Sequence, residues 1–358
     1  MIVTFSAFFT SFILTFVSIP SIIKVAELKH LYDDPNERKS HSVKVPTLGG
    51  LGIFAGVIFS LTFWSNQSEI LELQYIISSI IILFFIGIKD DIVPLVAAKK
   101  LLGQVIASAI LIHWGGIRIT SFYGLLGVYD IGAASSYMLS FFAIIGITNA
   151  FNLIDGINWL ASGLSLCSSL FFGTWFLISG HYQYSILSFS LCGSLIGFMY
   201  YNRTPARIFM GDTGSLIVGI INSILAIKFI EFNRYGYSPV PLMSSPAIAI
   251  SILSLPLFDT VRVFTNRIFK RKSPFSADRT HIHHYMLQAG VGHTRSSILL
   301  IFYTSLVSII TFKLRFIEGE LLLVGNLIIY SSLIMIVRKF SRNKNISIEK
   351  MCAAKNRT

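Results

Sequence analysis

Apolar runs of about twenty residues recur along the whole chain, and no other feature limits its fold as strongly. A bilayer's hydrocarbon core is about 30 Å thick, and about twenty helical residues cross it. Such runs fall at 3–23, 46–64, 71–88, 101–114, 135–150, 160–179, 183–201, 214–230, 242–261, 296–312 and 321–337. They predict an all-α polytopic membrane protein with about eleven transmembrane helices. Composition agrees: only 13% of the 358 residues are charged, against about 25% in soluble domains. One transmembrane domain is expected over 1–340, with a basic cytoplasmic tail at 341–358. The first basic residue is Lys24, so 3–23 reads as a retained span rather than a cleaved signal. Cys167, Cys192 and Cys352 match neither a disulfide framework nor a zinc site.

Charge gives the orientation. The loops at 24–45, 89–100, 202–211, 262–295 and 338–358 hold 24 of the 29 Lys and Arg. Basic loops stay on the cytoplasmic side, so the amino terminus is expected outside and the carboxyl terminus inside. This topology accounts for the net charge of +12 and removes the need for nucleic acid. On the other side, Ile117 to Gly132 alternates in part and is rich in glycine, which predicts a short outer hairpin.

Against that basic face stand acids that would be costly at membrane depth, roughly 2.5–3.5 kcal/mol each on insertion scales. Asp90 and Asp91 close the third span, with Lys99 and Lys100 shortly after. They fit either a phosphate-handling site or a plain cap on the next helix. Asn149, Asn152 and Asp155 stand at i, i+3 and i+6, on one side of a helix end. Gly156 and Asn158 follow. Arg207-Ile-Phe-Met-Gly-Asp212-Thr-Gly-Ser215 opens a helix. Glycines there let amides approach an anion, and Asp212 is an oxygen ligand of the kind Mg²⁺ accepts. The first loop carries Arg38, Lys39, His41 and Lys44, donors for phosphate or ordinary topology signals. Asp278-Arg279-Thr-His281-Ile-His283-His284 lies in the longest basic loop. Without Cys or a matching Glu, its histidines suit phosphate and sugar contacts better than zinc, with Arg279 as a fork.

In this order and on one membrane side, these stretches resemble the polyprenyl-phosphate N-acetylhexosamine-1-phosphate transferase family. That family includes bacterial enzymes that begin O-antigen and teichoic-acid chains, and the eukaryotic dolichyl-phosphate counterpart. The resemblance covers residues 1 to about 340. It implies attack by undecaprenyl phosphate on a UDP-N-acetylhexosamine, releasing UMP, with Mg²⁺ as cofactor and Mn²⁺ as its substitute. It implies an enzyme of the bacterial inner membrane with a cytoplasmic active site, and it admits a homodimer without requiring one. Matched residue by residue, Asp90, Asp91 and Asp155 fall on the family's catalytic acids. Asn152 and Asp212 fall on Mg²⁺ ligands. Lys100, Asn149, Asn158, Arg279, His281, His283 and His284 fall on substrate contacts. The chain departs from the common Asp-Gly-Ile-Asp-Gly by reading Asp155-Gly-Ile-Asn158-Trp159. An amide still suits uracil, whereas the indole would reshape the nucleotide or sugar pocket.

Two other classes fit the hydropathy. A lipid-phosphate or ion transporter would place polar groups at the bilayer midplane in broken helices. A bare scaffold would not need the amide and carboxylate clusters.

Overall fold

The computed structural model describes residues 1–33, 45–65, 71–233, 242, 244–273 and 280–355. Within these the chain is helical, as the apolar runs require: a backbone in lipid must satisfy its hydrogen bonds internally. In order the helices are α1 (Ile2–Leu28), α2 (Gly49–Trp64), α3 (Leu73–Ile92), α4 (Ala97–Ala109), α5 (Ala133–Ile154), α6 (Leu160–Ile178), α7 (Tyr182–Asn202), α8 (Gly211–Phe232), α9 (Ser245–Ile252), α10 (Ser254–Phe269), α11 (Ile282–Gln288), α12 (His293–Lys313) and α13 (Gly319–Lys355). A π-helical turn, Ile110–Trp114, extends α4. Among the described residues seven helices are long and apolar enough to cross a membrane, and α9 with α10, bent by 80°, makes an eighth. The expected eleven is reached only by adding α2, α3 and α4. The expected basic tail begins inside α13, whose backbone stays helical to Lys355.

The centre of the bundle is α8, buried along nearly its whole length. Small and hydroxylated residues let its neighbours approach and supply polar contacts between helices, the usual glue of membrane bundles. Asn222 of α8 donates to Ser165 of α6 at 2.8 Å. On the far side of the bundle, Thr15 of α1 donates to the Gly52 carbonyl of α2 at 3.0 Å and Ser60 of α2 to the Ala7 carbonyl of α1 at 2.6 Å. Tyr201 of α7 reaches the Phe16 carbonyl at 3.1 Å. The faces of α1, α12 and α13 turned away from this core expose large apolar side chains, as lipid-facing surfaces do.

Two short strands, β1 (Tyr32–Asp33) and β2 (Val45–Pro46), pair antiparallel and close the neck of the first basic loop. The rest of that loop, including Arg38, Lys39, His41 and Lys44, lies outside the described residues. At the opposite end of the bundle, residues 117–132 double back through one antiparallel bridge, Ser121 to Asp130, and a 3₁₀ turn at Leu125–Gly127. Glu231 at the end of α8 clasps this loop, accepting from the Thr120 amide at 2.8 Å and its hydroxyl at 2.7 Å.

Candidate active site

The site is built on the amino-terminal end of α8. Phe209 donates to the Pro46 carbonyl at 2.8 Å, and Gly49 and Gly50 donate to the Phe209 and Met210 carbonyls, each at 2.9 Å. The segment before α8 is thus laced to the start of α2. Gly211 then turns at φ +73, a left-handed conformation that favours glycine.

Into that turn comes the end of α3. Asp91 accepts from the Asp212 amide at 2.7 Å, the Thr213 amide at 3.0 Å and the Thr213 hydroxyl at 2.5 Å. It is a helix cap, but for α8 rather than for the helix that follows it in sequence. Asp90, one residue earlier, faces the other way. It accepts from the Leu95 amide at 2.5 Å and pairs with Lys100. The Lys100 ammonium also stands 3.3 Å from Asp212, so one cation bridges two carboxylates from different helices.

The end of α5 supplies the amides. Asn152 donates to Asp212 and, at 2.9 Å, to the Ser215 hydroxyl. Asn149 pairs with Gln104 of α4 at 2.8 Å, which braces α5 against α4. Both asparagines line a cavity of about 180 Å³ with Leu95, Lys100, Leu153 and Phe264. Asp155 leaves the helix just beyond. Burial, with the nearby carboxylates of Asp212 and Asp91, pushes its carboxyl up to about 7.

Next to it, an ideal Cβ on Gly156 would lie 2.2 Å from His283 Nε2, so the ring rests directly on the glycine. Burial, aided by neighbouring His284 and His281, holds His283 well below the usual histidine range. Its ring is near-parallel to that of His281, with centroids 5.7 Å apart, and 4.3 Å from that of His284. Asn158 donates to the Thr204 hydroxyl at 2.9 Å. The Trp159 indole donates to the Met199 carbonyl of α7 at 2.8 Å, which anchors the departing residue on a neighbouring helix.

Four separate sequence stretches therefore meet at one end of the bundle. Arg279 lies outside the described residues. Thr213 and Ser215 of the Arg207–Ser215 stretch join the site, and residues that the sequence did not single out surround it: Gln104, Thr204 and, behind the histidines, Asp259. The last gave a signal, a lone acid in the apolar run Leu253-Ser-Leu-Pro-Leu-Phe-Asp259. The same cost argument that picked out Asp90 applies to it.

The profile of glycosyl transferase family 4 matches residues 73–230, the stretch from α3 to α8 that carries the carboxylates and amides. A relative from Bacillus subtilis, named "Probable undecaprenyl-phosphate N-acetylglucosaminyl 1-phosphate transferase", is 34% identical over 333 residues, covering 92% of this chain and 90% of its own. The chain belongs to glycosyl transferase family 4. A family member from Mycobacterium leprae, a decaprenyl-phosphate N-acetylglucosaminephosphotransferase, is 31% identical over 296 residues, covering 76% of this chain and 74% of its own. Another from Escherichia coli K12, an undecaprenyl-phosphate alpha-N-acetylglucosaminyl 1-phosphate transferase, is 28% identical over 290 residues, 80% of this chain and 77% of its own. As a family 4 member this membrane protein is a phosphotransferase, which decides against the transporter and scaffold readings.

Metal fit can be judged from the donors. Among the described residues no three His, Cys, Asp or Glu are grouped to hold a metal ion. One carboxylate and one amide at Asp212 and Asn152 suit Mg²⁺, which takes few protein ligands and fills its shell with phosphate and water. Burial chiefly raises the Asp155 carboxyl, and the nearby carboxylates of Asp212 and Asp91 add to it; that added repulsion is the kind a divalent cation relieves.

Proposed function

We propose that the chain transfers N-acetylglucosamine 1-phosphate from UDP-N-acetylglucosamine to undecaprenyl phosphate. In this reading it sits in the bacterial inner membrane with the site on the cytoplasmic side, and begins an O-antigen or another cell-envelope glycan. The observation that carries it is the meeting of Lys100 with Asp90 and Asp212 beside Asn152: a cation and a metal-type donor pair at a single helix terminus, suited to a diphosphate. The relatives' names supply the sugar and the lipid class.

A lipid-phosphate oxygen attacks the β-phosphorus of the donor. The bond from that phosphorus to the bridging oxygen breaks, and UMP leaves with the electron pair. Phosphoryl transfer needs mostly positioning and charge stabilisation. Asn152 and Asp212 would hold Mg²⁺, which when bound offsets negative charge on the diphosphate. Lys100 meets the same phosphates, its two carboxylate partners fixing where its charge lies. Asp155, beside the carboxylates of Asp212 and Asp91, would take a proton from the lipid phosphate. Asp91 holds the end of α8, and with it Asp212, in place. Asn158 and the histidines face the nucleotide and sugar.

Purified protein given UDP-N-acetylglucosamine, undecaprenyl phosphate and Mg²⁺ should release UMP; no release with any UDP-N-acetylhexosamine would end the reading. Asp212→Asn is expected to lose at least about 100-fold in turnover, the scale of a lost electrostatic stabiliser, while still inserting in the membrane.

A further inference from the structure

Asp259 is fully buried on α10 and has no part in the chemistry above. A buried carboxylate on an apolar helix persists only when its partners compensate for lost hydration. Here they come from three elements. Oδ1 accepts from Arg262 Nη2 at 2.6 Å, one turn along α10, and from the Tyr330 hydroxyl of α13 at 3.1 Å. It also takes the Ile282 amide at 3.2 Å. Oδ2 lies 2.8 Å from His281 Nδ1. Arg262, so fixed, donates to the Thr280 carbonyl at 2.5 Å. Arg262 alone would balance the charge, yet the contacts concentrate on residues 280–282, the start of the histidine segment. From there the rings run on: His281 against His283, and His283 onto Gly156 beside Asp155.

We propose that Asp259 is the positioning residue of the histidine segment, holding His281 with its proton on Nδ1 so that Nε2 is the ring nitrogen left to accept a hydrogen bond from a hydroxyl or N–H of the sugar. This rests on the transferase reading above. An imidazole's tautomer is set by the bond its other nitrogen makes, and a ring held to a carboxylate is held in both tautomer and orientation.

Asp259→Asn tests this through its chemistry. Arg262 and Tyr330 donate to Oδ1, and the Ile282 amide lies nearer Oδ1 (3.2 Å) than Oδ2 (3.4 Å), so the amide oxygen stays there and the NH₂ faces His281. Nδ1 must then accept, and the ring proton moves to Nε2. We expect kcat to fall about 100-fold, the range for losing one polar contact made in the transition state, with KM for UDP-N-acetylglucosamine unchanged within about threefold. In a His281→Ala background, the same substitution should cost less than about threefold more, since residues acting as one unit are not additive. Equal losses in both backgrounds, or full turnover in Asp259→Asn, would overturn the assignment.

A second arm needs neither turnover nor a folded Asp259 variant. Nitrogen-15 spectra of histidine-labelled wild-type protein, with the His281 signal assigned through His281→Gln, should show a protonated Nδ1; an unprotonated one overturns the proposal. If wild-type protein releases no UMP, the transferase reading fails by itself, and the spectrum still decides the tautomer.

Discussion

At the scale of single residues, the site depends on how closely side chains pack against backbone. Gly156→Ala would drive a methyl into His283, whose Nε2 would lie 2.2 Å away. We expect at least about tenfold less UMP release, because small misplacements in a phosphoryl-transfer site are costly; a wild-type rate would show that the ring can yield. His283 also makes an acid-sensitive joint. Burial holds its imidazole below the usual range, near the charged or chargeable groups of His281, His284, His293 and Asp259. An unfolded histidine protonates near about 6.5. Below that pH the unfolded chain takes a proton that the folded chain refuses, so stability is lost as pH falls. Thermal melts between about pH 8 and 5 should show a decline that His283→Gln makes shallower; parallel declines would remove His283 from the account. The sequence placed these residues in one site by their types: amides, acids and histidines set between apolar runs have few structural uses. It gave no sign that His283 touches Gly156, since nothing local links residues so far apart in the chain.

At the scale of helices, the two neighbouring acids of α3 divide their work. Read along the chain, Asp90 and Asp91 look interchangeable. In space one faces Lys100 and the other caps α8, 121 residues away. The division follows from helix geometry: consecutive residues point about 100° apart, so they reach different neighbours. The contact between α3 and α8 is very close, for a Cβ on Gly87 would meet Thr213 Cα at 2.4 Å. Asp91→Ala should therefore cost about 1–2 kcal/mol of stability, as loss of a helix cap does, besides activity. Chemical or thermal denaturation in detergent measures it; an unchanged midpoint would return Asp91 to a purely chemical role. Helices α2 to α4 were legible as apolar runs, but their crossing of a membrane is not fixed by length alone. The bend between α9 and α10 was missed because the apolar run passes through it unbroken.

At the scale of the whole molecule, the site is an assembly. Asn152 comes from α5, Asp212 from α8 and Lys100 from α4, and no pair of them is near in sequence. With Asn152 and Asp212 as the metal ligands proposed above, cation affinity should depend on what the nucleotide brings. Mg²⁺ alone is expected to raise the melting temperature little, and UDP alone little. Together they should raise it by more than the sum of the two, because each completes the other's binding shell. A ligand at about 100 times its Kd adds about 2.7 kcal/mol, which a melt in detergent resolves. Asp212→Asn should abolish the synergy while leaving the metal-free midpoint near that of the wild type, and chelation should reduce wild-type protein to the same behaviour. Additive shifts, or synergy that survives in Asp212→Asn, would mean that the cation sits elsewhere. In that case the pairing of Lys100 with two carboxylates would serve the packing of α3, α4 and α8 rather than the diphosphate.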